Sequence, residues 1–488
     1  RLNPFKKLFK QTFVYGLATV LPRMLSFILV PIYTAVMPNP ALYGEVSVIF
    51  SWLAIFNVFL AYGMETAFFR FFYKADDKNK VISTSLISII SSTILFFLLA
   101  LIFQQQLANW SGIDVKYIVY AIYILVLDAL VIIPFSWLRA TEKSMKYAII
   151  KISNVAINLG LNIFFLIYLT KIVANNPDSF FAWMYKPDFQ ISYIFISNLI
   201  ASGVTLLLML ELYLKNNYDF DKELWKKMIK YAMPVLIAGI AFTINEVFDR
   251  ILLQWLLPEN IAESEIGKYS ACYKIAVFMT LFATGFRLGI EPFFFSHSDS
   301  KDPKKAYALI TNYFVILGSI ILLGVVVFAD VLKILIVKNE AYWEAMPVVP
   351  ILILASFFLG IYHNLSVWYK VTDKTRYGAF ISVIGAIITL LINFFGIPRF
   401  GYMASAVATL FAYGTMMVLS YSIGKKHYPI PYNTRKITFY LSISILFSIL
   451  SFYVFDQHFI IGIVFLILFL ALVYKLENEK LRKIIFKK

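Results

Sequence analysis

Arg23 stands eleven residues into a long apolar run that begins near residue 12. At about 1.5 Å of rise per helical residue it lies roughly 17 Å deep, near the middle of an approximately 30 Å hydrocarbon core. An ionisable group there costs about 2.5–3.5 kcal/mol to insert and needs a counter-charge or water. The run offers Arg23 no acidic partner, so two readings stay open: a salt bridge to another helix, for which Glu65 is available, or an anion site in a cavity. A guanidinium suits the second, because its planar fork grips phosphate oxygens two at a time.

Other charges interrupt apolar sequence in the same way. Glu246 and Arg250, and again Arg287 and Glu291, stand four residues apart, a spacing that permits pairing along one helix face. Self-neutralised pairs and a substrate or ion role are both compatible with that spacing. Gly285 and Gly289 bracket Arg287 in a pattern that favours close helix packing. Asp128 and Asp249 can exchange a proton for a cation. Asn154, Asn158 and Asn162, each four residues from the next, place three amides on one slowly drifting stripe, suited either to sugar hydroxyls or to interhelical hydrogen bonds. The candidate substrate-binding set is therefore Arg23, Arg70, Arg250, Arg287, Asn154, Asn158 and Asn162. The candidate ion-coupling set is Glu65, Asp128, Glu246, Asp249 and Glu291. The intramembrane cations Arg23, Arg70, Lys151, Arg250, Lys274 and Arg287 are nearly balanced by those acids, so only the placement of Arg23 favours a phosphate-bearing ligand.

Membrane helices must position all of these residues. Of 488 residues, 60% are hydrophobic and 15% charged, a balance that calls for lipid as solvent. A spanning helix needs roughly 20 mostly apolar residues. Such runs fall near 12–37, 44–73, 81–106, 116–140, 146–174 and 189–215, then 229–257, 268–296, 305–329, 346–370, 376–398 and 403–423, with a last pair near 436–454 and 458–476. The expected fold is all-α and polytopic, with 14 helices: a six-helix bundle over 1–215, a second over 216–423, and helices 13 and 14 with a basic tail over 424–488.

The net charge of +16 would suggest a nucleic-acid partner in a soluble protein, but the basic residues sit in alternate loops. The amino end, even-numbered loops and tail hold 31 lysines and arginines and the odd-numbered loops 7, which predicts cytoplasmic termini and no nucleic-acid role. Tyr43-Gly44-Glu45-Val46-Ser47 resembles Ile266-Gly267-Lys268-Tyr269-Ser270, Gly63 aligns with Gly285, and Phe71-Phe72 with Phe293-Phe294. This internal repeat places a cavity between two halves of equal orientation. No phosphate-binding glycine loop and no nucleophile, base and orienter trio is legible, so neither ATP use nor catalysis is expected. No cofactor or metal is expected, and the single cysteine, Cys272, reads as a small apolar packing residue. Histidines 297, 427 and 458 fall near interfaces, and His363 is a candidate for a path lining.

Helices 1 and 2 carry Tyr15-Gly16, Leu21-Pro22-Arg23-Met24-Leu25, Pro31-Ile32-Tyr33-Thr34, Tyr43-Gly44-Glu45, and Gly63 through Phe72. Through these residues the chain resembles the Wzx-like polysaccharide flippases of the multidrug/oligosaccharidyl-lipid/polysaccharide (MOP, MATE-like) exporter superfamily. The resemblance implies two six-helix bundles, alternating access, and a polyprenyl-diphosphate-linked oligosaccharide as cargo. It further implies a bacterial inner-membrane location, membrane lipids and polysaccharide polymerase machinery as partners, and H⁺ or Na⁺ as the coupling ion. The multidrug branch typically carries a carboxylate in helix 1, where this chain has Arg23. Peptidoglycan-precursor flippases share fourteen helices and a helix 1 arginine, and remain the alternative.

Overall fold

The computed structural model describes residues 4–296, 302–372 and 374–485, leaving aside the side chains of 1–13, 15, 19, 288–301 and 479–488. The chain is 88% helical, and no strand occurs among the described residues. Among the described residues, fourteen helical spans are long and apolar enough to cross a membrane. They are α1 (Gly16–Val36), α2 (Pro40–Lys74), α3 (Lys78–Ile102), α4 (Val115–Ala140), α5 (Ser144–Asn175), α6 (Gln190–Lys215) and α7 (Lys222–Leu256). The remainder are α8 (Glu259–Arg287), α9 (Pro303–Val327), α10 (Glu340–Val371), α11 (Arg376–Phe400), α12 (Tyr402–His427), α13 (Thr434–Val454) and α14 (Phe459–Asn478). Each overlaps an apolar run of the sequence, with bounds that agree within about four residues except at α7, α8 and α10, which begin seven, nine and six residues earlier than the runs, while α8 also ends nine residues earlier.

Several spans are broken where backbone chemistry demands it. In α2, Tyr62 and Gly63 take left-handed backbone at φ 31° and 72°, ending one helix at Ala61 and starting another at Met64. In α4, Pro134 has no N–H to give the Leu130 carbonyl, and the Tyr213 hydroxyl donates there instead. A π-turn over Phe164–Tyr168 interrupts α5. Within α8, a 3₁₀ turn over Lys274–Ala276 separates two helical pieces, whereas Gly285, the repeat partner of Gly63, lies inside continuous helix. The repeat therefore does not extend to the position of the break.

The chain divides into two compact units, Arg1–Gly267 and Lys268–Lys488. Unit 1 includes α7 and the first turns of α8 as well as the first six spans. Its connection 216–221 is stitched to the start of α3: Asn216 Nδ2 donates to Ser83 Oγ at 3.0 Å, Ser83 Oγ to the Asn217 carbonyl, and the Asp221 N–H to Thr84 Oγ1 at 3.1 Å. One aromatic-rich core of the unit gathers Phe68, Phe72, Leu86, Ile133 and Met228. Near Gly267 two helices cross at van der Waals limits. A methyl group on Gly44 would overlap the Glu263 carbonyl oxygen, and one on Gly267 would overlap that of Pro40. These glycines are the residues that the sequence repeat sets in register.

In unit 2, α10 is the central element, 72% buried, while α14 is 17% buried and lies at the edge. Gly318 and Gly360 let Phe357 and Phe314 fill the space between α9 and α10. Cys272 is fully buried, with its thiol directed at the Tyr342 carbonyl at 3.3 Å.

Candidate functional site

Unit 1 holds a polar cluster built on two helical stripes. Lys151, Asn154, Asn158 and Asn162 follow one another on α5 at intervals of three, four and four residues, and Asn198, Ser202 and Thr205 on α6 at four and three. The stripes meet where Asn154 Nδ2 donates to Thr205 Oγ1 at 2.9 Å. Asp128 of α4 accepts from Ser202 Oγ at 2.7 Å, with Asn57 of α2 as a further hydrogen-bond partner. Lys151 lies 4.1 Å over the Phe135 ring and has Asp128, Glu65 and Arg139 as electrostatic neighbours. Glu65 of α2 and Arg139 of α4 form an ion pair at 2.8 Å whose side chains are 50% and 43% exposed. Phe69 supplies a ring 4.9 Å from the same guanidinium.

Two cations and two carboxylates thus share one polar region among four spans. The local charge is balanced, as the sequence sum indicates, but the partners are exchangeable. The Arg139–Glu65 pair is open on one side, and exposed pairs are worth only about 0–1 kcal/mol. An incoming oxyanion can replace Glu65 on Arg139 at small cost, gaining a charge-assisted, two-pronged contact.

Among the residues that sequence singles out, Glu65, Asp128 and Asn154 come together here, while others go elsewhere. Asn162 is buried and internally engaged: Tyr33 OH donates to its Oδ1 at 3.0 Å, and its Nδ2 donates to both the Asn158 carbonyl and Asn158 Oδ1 at 2.8 Å. That network ties α5 to α1, which corresponds to the interhelical reading of the asparagine stripe. Arg23 is half-buried in α1, next to Pro22, which cannot donate to the Ala18 carbonyl. Its proposed counter-ion Glu65 is held by Arg139. Arg70 lies 4.5 Å over the Tyr231 ring.

Asp249 and Arg250 form a separate buried pair. Arg250 Nη1 meets Asp249 Oδ1 at 2.9 Å and the backbone carbonyl of Glu246 at 3.2 Å, while the Glu246 side chain is exposed. The i,i+4 spacing that suggests Glu246 as the partner thus coexists with a close carboxylate contact from the adjacent residue. Arg287 is half-buried in unit 2, and the side chain of Glu291 lies outside the described residues, as does His297. His363 is half-buried in α10. His427 is exposed at the end of α12, where its Nδ1 meets the Ile423 carbonyl at 3.0 Å in a capping contact, while its ring stacks on Trp368 at 5.6 Å and its Nε2 bonds Tyr377 OH at 3.0 Å.

Sequence reading missed Arg139, Asn57 and the α6 stripe. Arg139 ends a helix, where a basic residue reads as a boundary charge. The stripe at 198, 202 and 205 was discoverable, because three polar residues at helical spacing interrupt an otherwise apolar run.

A family model described as polysaccharide biosynthesis protein matches residues 8–289, more than half of the chain. The chain belongs to that family. A second model, MatE, matches residues 234–395. No curated protein sequence matches. Among solved structures, the lipid II flippase MurJ in an inward closed conformation matches with TM-score 0.70 at 15% identity, covering 95% of this chain and 99% of that one. An inward-facing multidrug-resistance MATE transporter matches with TM-score 0.63 at 12% identity, covering 87% and 99%. A MOP-superfamily transporter from Pyrococcus furiosus, described by a binding pocket of reversed polarity, matches with TM-score 0.58 at 12% identity, covering 87% and 96%. This multi-pass membrane protein of the polysaccharide biosynthesis family thus has a fold similar to that of solved flippases and transporters.

Proposed function

We propose that this protein flips a polyprenyl-diphosphate-linked oligosaccharide, a repeat unit of O-antigen or of a capsular or exopolysaccharide, across a bacterial inner membrane by alternating access. The observation that carries the reading is the family match over residues 8–289, which spans the polar cluster of unit 1. In that cluster Arg139 and Lys151 are the phosphate-binding groups, with Arg23 as a third cation on α1. Asn154 and Asn158 offer amide contacts to sugar. Displacing Glu65 or Asp128 from its cation leaves a carboxylate that takes up H⁺ or Na⁺, so cargo binding and ion binding become linked events. The repeat halves 1–215 and 216–423, with 424–488 as an added pair of helices, are the proposed units of alternating access. Both termini face the cytoplasm on this reading.

A second reading is favoured by the fold likeness to a lipid II flippase. A multidrug reading draws on the MatE match but finds no acid in α1. Mass spectrometry of lipids retained by the purified protein separates the three, because the cargo masses differ. A retained polyprenyl diphosphate oligosaccharide is the expected result. Retention of a peptidoglycan precursor alone overturns it.

A further inference from the structure

The α5–α6 hairpin of unit 1 carries its own depth scale. At one end Lys146 of α5 pairs with Glu211 of α6, and both side chains are partly exposed, so the pair marks a polar border. The stretch of α6 from Glu211 back to its start at Gln190 rises about 32 Å at 1.5 Å per residue, which matches an approximately 30 Å hydrocarbon core. Along α5, Phe164 stands about 27 Å from Lys146 and so lies just inside the second border. The helix continues to Asn175, roughly 16 Å farther. The chain then comes back down. Phe181 meets the Phe164 ring at 5.7 Å, Phe165 stacks on Tyr193 at 5.1 Å, and Tyr193 OH donates to the Met184 carbonyl and accepts from the Lys186 N–H, each at 2.8 Å. A 3₁₀ turn over Phe180–Met184 is thereby held at the level of the border, well below Asn175.

Residues three apart in a 3₁₀ turn share a face. Phe181 faces α5, whereas Phe180 and Trp183 share a face turned away from it and are 80% and 72% exposed. Tyr168, one turn past Phe164, is exposed at the same level. The backbone of the turn is closed on itself. The N–H groups of Ser179, Ala182 and Tyr185 donate to the carbonyls of Asn176, Ser179 and Ala182, that of Asp178 to Asn176 Oδ1, and that of Phe181 to Ser179 Oγ, all within 2.8–3.3 Å. A loop in water has no need of such pairing, but one that enters an apolar medium must satisfy its own backbone. Large rings, tryptophan above all, are the side chains favoured between headgroups and hydrocarbon.

We propose that the turn Phe180–Met184 is a lipid anchor, in which Phe180 and Trp183 insert into the leaflet opposite the Lys146–Glu211 end and hold the α5–α6 hairpin at a fixed depth. Its partner is the lipid surface that surrounds the spans. The anchor depends on the membrane fold alone and not on the nature of the cargo.

The test places the full chain, in a Cys272→Ala background, in vesicles of phosphatidylethanolamine and phosphatidylglycerol, with a nitroxide attached through Ala182→Cys and, for reference, through Asn175→Cys. Power saturation reads access of oxygen, which concentrates in hydrocarbon, and of a nickel chelate, which stays in water. The label at position 182 should be open to oxygen and lose access to the chelate, and the label at position 175 should show the reverse. Phe180→Asp combined with Trp183→Asp should return the label at 182 to the chelate without lowering the thermal midpoint, because neither ring is buried in the protein. Chelate access at 182 equal to that at 175 would place the turn in water, as a sugar platform requires. Shielding of 182 from both reagents would place it against another protein chain. Either result overturns the assignment, as does a label at 182 that stays shielded in the double variant.

Discussion

Arg139 and Arg23 are the residues on which a phosphate reading stands or falls. A charge-assisted hydrogen bond is worth about 1.5–3 kcal/mol, so replacing either arginine by alanine should slow transport of the lipid-linked cargo roughly tenfold to a hundredfold. Lysine should restore only part of it, since an ammonium cannot make the two-pronged contact. Flipping assays on vesicles with matched protein content check this, and equal activity of the lysine and alanine variants would contradict the phosphate role. Two carboxylates separate in the same way. Asp128→Asn should keep the fold and weaken the dependence on an imposed H⁺ or Na⁺ gradient. Asp249→Asn instead removes the carboxylate charge beside the buried Arg250 guanidinium, a change that should be visible first as a lower thermal midpoint in detergent. A melting profile together with a gradient titration of both variants distinguishes coupling from support.

At the scale of the element, Asp221 caps α7 by accepting from the Leu224 N–H at 2.9 Å, with Lys80 at 3.7 Å. These contacts hold its carboxyl below the usual carboxylate range. A depressed pKa means the contribution is present above the unfolded value, near 3.9, and is lost as pH falls through the folded one. Asp221→Ala should therefore melt earlier than wild type at neutral pH, and the gap should close in acid. An unchanged gap across that range would remove the cap from the account. The same connection shows what sequence could not tell. Apolar runs and loop charges located all fourteen spans, because hydrocarbon thickness and charge placement act on local composition. The run Lys215–Lys230 reads as a seam between halves, yet residues 216–221 are hydrogen-bonded to α3. Such contacts depend on which helix lies alongside, as does the Arg139–Glu65 pair, and composition carries no trace of either. Asp128 and Asn154 were legible because a polar residue inside an apolar run is conspicuous wherever it packs.

For the whole molecule, orientation is the most direct prediction: labels at Lys78, Lys143, Lys222 and Lys374 should react from the cytoplasmic side, and those at Asn175, Glu259 and Asn339 from outside. The asymmetry of loop charge motivates this, and a single external position that reacts only after permeabilisation breaks the scheme at that span. The crossing at Gly44 and Gly267 has a consequence for how a duplicated chain can change. Each glycine accommodates the backbone of the other's helix four residues upstream, so a side chain in either copy pushes the same two helices apart. Once the first has opened the gap, the second finds room already made. The two positions should therefore show saturating epistasis: Gly44→Ala and Gly267→Ala each destabilise, and the double variant melts close to the worse single rather than at their sum. In that sense the two copies are one inherited unit at this point, and neither can drift alone without charging its cost to both.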